Sequence, residues 1–206
     1  MSTLAVLFDA FGTLIKIKDG AHPYRTILKI GIQQGRRPKP DDAEILLSTP
    51  LSLREAADYF GITVAPEMME NLTSILDAEI QGLEAHEDGL NSVDILQAAG
   101  VSIGICSNLA SPYAAAIDRL YPSITCHSYS FEVGAVKPDH RIYEHAVKSL
   151  MLPPDKIWMI GDSKICDSDE PTNFGMKGFH LDRGGNSDYT SLTAFTKDFL
   201  HNYFFN

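Results

Sequence analysis

The sequence predicts an α/β fold: a parallel sheet with helices on its faces and a block of helices inserted after the first strand. Three observations predict it. Short apolar runs alternate with longer stretches of helical period, as in β-α units. The strand-like runs vanish between residues 16 and 86 and resume beyond. Polar residues able to do chemistry gather just past the apolar runs, where ligand sites of open parallel sheets lie.

In chain order, residues 4–8 (Leu-Ala-Val-Leu-Phe) form the first expected strand. Residues 16–86 then carry amphipathic stretches over 24–32, 51–60 and 67–80, separated by Pro and Gly, and read as a helical cap lying over the end of that strand. Helical spacing returns over 89–99, 112–120 and 140–150, and apolar runs over 101–106, 157–160 and 178–181 complete an expected set of four strands. The expected division is a core of 1–15 and 87–206 with a cap of 16–86. Gly184-Gly185 lacks a following G-x-x-G helix start and reads as a loop, which argues against a dinucleotide site.

Composition narrows the function classes. Of 206 residues 44% are hydrophobic, and 17 Lys and Arg stand against 27 Asp and Glu, a net charge of −10. That profile fits a globular chain with a sizeable core and excludes disorder and fibres. An acidic chain without a basic block argues against nucleic acid and anionic membrane, which bind through neutralised phosphates. Polar residues interrupt the uncharged stretch 95–117, so no membrane span is expected. The start has no basic segment ahead of its apolar run, so no secretory leader is expected, and the cytoplasm is the expected compartment. Cys106, Cys126 and Cys166 are scattered and odd in number, indicating neither disulfides nor a zinc site. Together with Trp158 and the terminal Tyr203-Phe204-Phe205, Cys106 reads as a core or docking residue.

The polar clusters are Asp9 in Phe8-Asp9-Ala10-Phe11-Gly12-Thr13-Leu14, Ser107-Asn108, Lys137-Pro138, and Gly161-Asp162-Ser163 with Asp167. Singly, each reads as a turn or a helix cap. Their order and placement together resemble the haloacid dehalogenase superfamily of hydrolases, over residues 8 to about 176. The resemblance implies a three-layer, Rossmann-like core. It implies a nucleophile at Asp9, a hydroxyl at Ser107, a lysine at Lys137, and acidic metal ligands at Asp162 and Asp167 followed by Phe174-Gly175-Met176. Thr13, Ser107, Asn108 and Lys137 are the implied substrate contacts, and the Phe11 carbonyl joins Asp9, Asp162 and Asp167 as an implied metal ligand. The insertion looks like the family's small helical cap.

The chemistry of these side chains is consistent with those roles. A carboxylate that attacks phosphorus or carbon forms an ester that water later hydrolyses, splitting one hard step into two. Ser107, the backbone around Asn108, and Lys137 would cradle an anion. Two carboxylates about 4 Å apart repel by roughly 4 kcal/mol at an effective dielectric near 20, so Asp9, Asp162 and Asp167 call for a cation. An all-oxygen set points to Mg²⁺. A small phosphorylated metabolite is then the expected partner.

One residue departs from the pattern. Family phosphatases usually carry a second Asp two positions after the nucleophile as general acid and base, and Phe11 stands there. A positioned acid contributes about 100- to 10,000-fold, so alkyl esters should turn over slowly unless His22 or His86 replaces it. Phe11 also opens two rivals. True haloacid dehalogenases usually carry Tyr there and expel a halide that needs no proton; Tyr143 after Lys137 also looks dehalogenase-like, and Arg25, Arg36 or Arg37 could take a substrate carboxylate. Alternatively the chain binds a phosphorylated ligand or a partner with weakened catalysis. Asp162 and Asp167 favour the phosphatase, because dehalogenases typically have Ser and Asn in that motif.

Overall fold

The computed structural model describes residues 4–205. The expected core reaches residues 1–3 and 206 at its ends, and these lie outside the described residues, as does the Phe205 side chain. In chain order the sheet strands are β1 (Ala5–Phe8), β2 (Ser102–Ser107), β3 (Cys126–Tyr129), β4 (Ile157–Gly161) and β5 (Lys177–His180). They pair in the order β3-β2-β1-β4-β5, all parallel, with Ala5 opposite both Ser102 and Ile157.

The helices are α1 (Pro23–Gln33), α2 (Asp42–Ser48), α3 (Leu53–Tyr59), α4 (Pro66–Gln81), α5 (Glu87–Ala98), α6 (Ala114–Leu120), α7 (Ser130–Val133), α8 (His140–Leu150), α9 (Glu170–Phe174) and α10 (Leu192–Phe205). A π-helical turn over Lys164–Asp169 precedes α9. No helix among the described residues is long and apolar enough to cross a membrane.

Strand alternation builds the three layers. Val6 and Phe8 of β1 point to one face, where Val93 and Leu96 of α5 and Phe195 and Phe199 of α10 cover them; Ala5 and Leu7 point to the other, against Ile142, Tyr143 and Ala146 of α8. Central parallel strands are buried on both faces, which is why β1 and β4 are apolar throughout. Trp158 packs edge-on against Phe199 at 5.2 Å, and Cys106 is buried, as their sequence reading expects; Phe204 is exposed.

Local signals place the helix starts. Proline opens α1 and α4, where its missing N–H costs nothing. Ser52 and Glu55 form a reciprocal capping box on α3, and the Asp139 carboxylate caps α8 by accepting from Arg141 N at 2.9 Å.

The structure adds five elements the sequence reading lacks, β3, α2, α7, α9 and α10, and divides one expected helix. The sheet has five strands: β3 reads Cys-His-Ser-Tyr, and its register buries the polar Ser128 against His145, 2.8 Å away. Helix α2 spans seven residues, too short to show a period, and follows Pro38 and Pro40. The stretch 112–120 divides into a 3₁₀ turn at Ser111–Tyr113 and α6. Between residues 16 and 86 all regular elements are helical, as expected.

Candidate active site

Chain order and sheet order together create the site. From β1 the chain moves outward through β2 to β3, then returns to place β4 on the other side of β1, so the winding direction reverses between β1 and β4. In open α/β sheets the crevice at such a reversal, beyond the carboxyl ends of the strands, is where ligands bind. Asp9 follows β1, Ser107 ends β2 and Asp162 follows β4, so topology alone brings three of the sequence candidates to one edge.

Side chains complete the cluster. Asp9 is buried, and its Oδ1 accepts from Ser107 Oγ at 3.0 Å and from Lys137 Nζ at 2.7 Å. The same ammonium donates to Asp167 Oδ1 at 2.6 Å, and Asp167 Oδ2 accepts from Ser163 N at 3.0 Å. Burial works against the charge on Lys137, but the Asp167 and Asp9 carboxylates outweigh it and hold the ammonium well above the ordinary lysine range. Two glycines make this crowding possible. A Cβ at Gly12, where φ is +86°, would run into the Asp162 carboxylate, and one at Gly161 would strike Asp167 and Asp9.

Carboxylate oxygens of Asp9, Asp162 and Asp167 all lie within 4.8 Å of one another. These three carboxylates face one ammonium, which leaves two negative charges, the charge that a single divalent cation balances. Asp162 registers the excess: burial, then the charges of Asp9 and Asp167, push its carboxyl up to about 6. The donor set is hard oxygen throughout, which fits Mg²⁺. The bridge pairing Phe11 with Ile15 runs through the Ala10 carbonyl and the Gly12 N–H and leaves the Phe11 carbonyl, the expected fourth ligand, unspent on it.

Asn108 and Thr13 take places that their motifs did not reveal. The Asn108 side chain is occupied: its Oδ1 accepts from Lys137 N at 2.7 Å and its Nδ2 donates to Lys137 O at 3.0 Å. It fastens the lysine loop to the end of β2, and what Asn108 offers a ligand is its backbone. Thr13 is fully buried, its Oγ1 has no protein partner, and no hydrogen bond ties that hydroxyl to the Asp9 cluster among the described residues. Its carbonyl accepts from Arg183 at 3.0 Å, while Arg183 also pairs with Asp88 at 2.9 Å. The next residue, Leu14, has its carbonyl bound by Tyr121 Oη at 2.8 Å. Arg183, Asp88 and Tyr121 thus steady the loop after Asp9 from three distant segments, with no sequence spacing to announce them.

Beside the cluster lies a cavity of about 480 Å³, within the usual size of small-molecule sites. Phe11, Asn108 and Tyr113 line it from the strand-end loops; Tyr24, Leu46 and Leu47 line it from the helices of 16–86. The Phe11 ring meets Tyr113 edge-on at 5.9 Å. Of the two histidines weighed as substitute acids, His22 lines the cavity, whereas His86 sits at the start of α5, where burial and then Arg183 lower its pKa. Of the three arginines, Arg25 lines the cavity. Arg36 does not: it grips Asp42 with two hydrogen bonds of 2.7 and 2.5 Å and lies over the Phe60 ring. Tyr143 is equally committed, since its buried ring sends Oη to the Cys166 carbonyl at 2.6 Å and braces the π-helical turn that carries Asp167.

The family model of haloacid dehalogenase-like hydrolases matches residues 3–168, most of the chain. The chain belongs to that family. A haloacid dehalogenase-like hydrolase is therefore the coarse identity, and solved structures agree with its fold. A HAD phosphatase from Thermococcus onnurineus superposes with a TM-score of 0.66 at 19% identity, covering 97% of this chain and 98% of that one. A HAD family enzyme from Bacteroides thetaiotaomicron in complex with magnesium and inorganic phosphate gives 0.63 at 16%, over 90% and 97%. An L-2-haloacid dehalogenase gives 0.62 at 17%, over 96% and 99%. Among curated proteins no relative matches the chain. At these identities the structural likeness establishes the fold, a parallel sheet between two helical layers, and both reaction types stand among the neighbours.

Proposed function

We propose that this hydrolase is a Mg²⁺-dependent phosphatase acting on a small phosphorylated metabolite through a phosphoryl group carried on Asp9. The observation that carries this reading is the cluster of Asp9, Asp162 and Asp167, three carboxylates against the single ammonium of Lys137. In this reading Asp9, Asp162 and the Phe11 carbonyl hold the ion, with Asp167 as a further ligand or its support. Bound there, Mg²⁺ supplies charge to offset the carboxylates and the phosphoryl oxygens. The chain's own residues do the rest. Asp9 Oδ attacks phosphorus, Ser107 Oγ and the backbone at Asn108 donate to the phosphoryl oxygens, and Lys137 spreads positive charge over nucleophile and transferred group. Asn108 keeps Lys137 in place through both of its side-chain bonds.

Residues 16–86 act as a cap over a core of 1–15 and 87–206. Two features support that division: the connecting segments meet side by side where Ile15 pairs with Ala85, and the cavity lies between the helices and the strand-end loops. We place the reaction in the cytoplasm, in keeping with three cysteines outside any disulfide.

Phe11 favours a second reading, a 2-haloacid dehalogenase, because halide leaves without a proton and Arg25 lines the cavity as a partner for a carboxylate. Two assays on one preparation separate the readings: phosphate release from acetyl phosphate and halide release from 2-chloropropionate, each with Mg²⁺ and with a chelator. The phosphatase reading predicts phosphate release that stops on chelation and no halide. Halide release that ignores the chelator, with no phosphate, would overturn it.

A further inference from the structure

The cavity says what kind of group the enzyme lets go. Its lining is mainly apolar and aromatic, including Phe11, Tyr24, Leu47 and Tyr113, with Lys18, His22, Arg25 and Glu79 as its ionisable members. Its two phenols are turned to other uses. Tyr24 Oη donates to the Leu51 carbonyl at 2.6 Å, and the Tyr113 phenol lies by the Glu79 carboxylate, with burial and then that charge holding it protonated. Phe11 and Tyr113 meet edge to face and leave a ring-sized aromatic corner next to the Asp9 loop.

A second observation is independent of the cavity's shape. Among the described residues the groups hydrogen-bonded to the Asp9 side chain are Ser107 Oγ and Lys137 Nζ, and the position two residues on, which would face a departing oxygen, is a hydrocarbon ring. A site so built has no acid at the position two residues past Asp9, and His22, the histidine on the cavity wall, makes no hydrogen bond to the Asp9 side chain among the described residues. The substrate must therefore carry a leaving oxygen that departs as an anion. A phenolic oxygen does so, since phenols ionise near pH 10, whereas an alkyl hydroxyl is about as weak an acid as water, near 15.7.

Resting on the phosphatase reading above, we propose that the substrate is an aryl phosphate, its ring seated in the cavity between Phe11, Tyr113 and the helices of 16–86. The Asp9 carboxylate oxygen bonds to phosphorus as the bond from phosphorus to the aryl oxygen breaks, and the electron pair leaves on that oxygen as a phenolate. The phenolate collects a proton from solvent water. A water molecule then adds to phosphorus, displaces the Asp9 carboxylate and releases inorganic phosphate, which restores the enzyme with no further reactant.

The test compares kcat/KM in Mg²⁺ for 1-naphthyl phosphate, phenyl phosphate, glycerol phosphate and acetyl phosphate. Acetyl phosphate has the best leaving group of the four but nothing to fill the cavity. The aryl esters should exceed glycerol phosphate by at least about 100-fold, the size of a missing general acid, and naphthyl phosphate should have the lowest KM. Filling the cavity with Leu47→Trp should raise the KM of naphthyl phosphate at least 10-fold more than that of acetyl phosphate, and Leu28→Trp serves if the first variant does not fold. Acetyl phosphate turned over normally while aryl esters fare no better than glycerol phosphate would overturn the aryl assignment and leave the phosphatase reading standing. Phosphate release from none of the four would overturn the phosphatase reading and this inference with it.

Discussion

The strand-end cluster and the neighbouring cavity differ in almost every physical respect. In the cluster, Asp9, Lys137, Ser107 and Asp167 are buried, charged or polar, and bound to one another at 2.6–3.0 Å. In the cavity the walls are mainly hydrocarbon and ring, contributed by the strand-end loops and by the helices of 16–86, with His22 and Arg25 among the polar exceptions. The contrast separates two jobs. Buried charges tolerate few arrangements, because each unpaired group costs heavily, so the cluster commits the enzyme to one kind of chemistry. Apolar walls reshape at modest cost, so the cavity decides which molecule receives that chemistry.

The sharpest break of this contrast is Asp9→Asn. The amide preserves shape and removes the proposed nucleophile, and phosphate release should fall on the order of 10,000-fold or more with the circular dichroism spectrum unchanged. Next comes Asp162→Ala, which removes a carboxylate from the charge excess. Calorimetry should show Mg²⁺ affinity reduced about 100-fold, with undiminished binding counting against the metal site. Smaller again is Phe11→Asp, which carries the polar character of the cluster to the edge of the cavity. Turnover of alkyl phosphates should rise by up to roughly 100-fold, while that of acetyl phosphate changes little. A flat response would mean that another group, His22 being the one in the cavity, already supplies the proton.

The smallest expected effect lies in the helices away from the cluster. Arg36 first, through its paired hydrogen bonds, holds the Asp42 carboxyl down to about 2. A carboxyl whose pKa is lower folded than unfolded contributes stability above its unfolded value, near 4, and loses it as pH falls toward 2. Arg36→Ala should therefore lower the melting temperature by about 2–4 °C at pH 7, for a pair worth about 1 kcal/mol, and the gap from wild type should close as pH drops from 4 to 2. Activity toward acetyl phosphate should persist, since Arg36 takes no part in the cavity.

The same contrast explains how much was legible in the sequence. Asp9, Lys137, Asp162 and Asp167 stand out because a charged residue just past an apolar run, or beside Gly or Pro, is conspicuous, and their order along the chain carries the family pattern. The β1, β2 and β4 strands are equally plain, being apolar on both faces. Edge strand β3 is not, because pairing on one side lets Cys-His-Ser-Tyr serve as a strand. Nor could spacing announce Arg183, Asp88 and Tyr121, whose grip on the loop after Asp9 depends on contacts across 95 to 170 positions of chain. Asn108 was legible as a residue of the site, yet its use as a clamp on Lys137 follows only from the fold. The cavity was the least legible part, since Leu46, Leu47 and Tyr113 look like any core residue until the helices close over the strand ends.

One measurement bears most directly on the central claim that Asp9 carries the phosphoryl group. The enzyme is mixed with acetyl phosphate and Mg²⁺ in heavy-oxygen water, quenched in acid within a turnover, and the mass of the peptide containing Asp9 is read. The account predicts one added phosphoryl group on that peptide and no heavy oxygen left in its carboxylate after turnover, because water attacks phosphorus. A peptide without the phosphoryl group, or a carboxylate that has gained heavy oxygen through attack at its carbon, would contradict it.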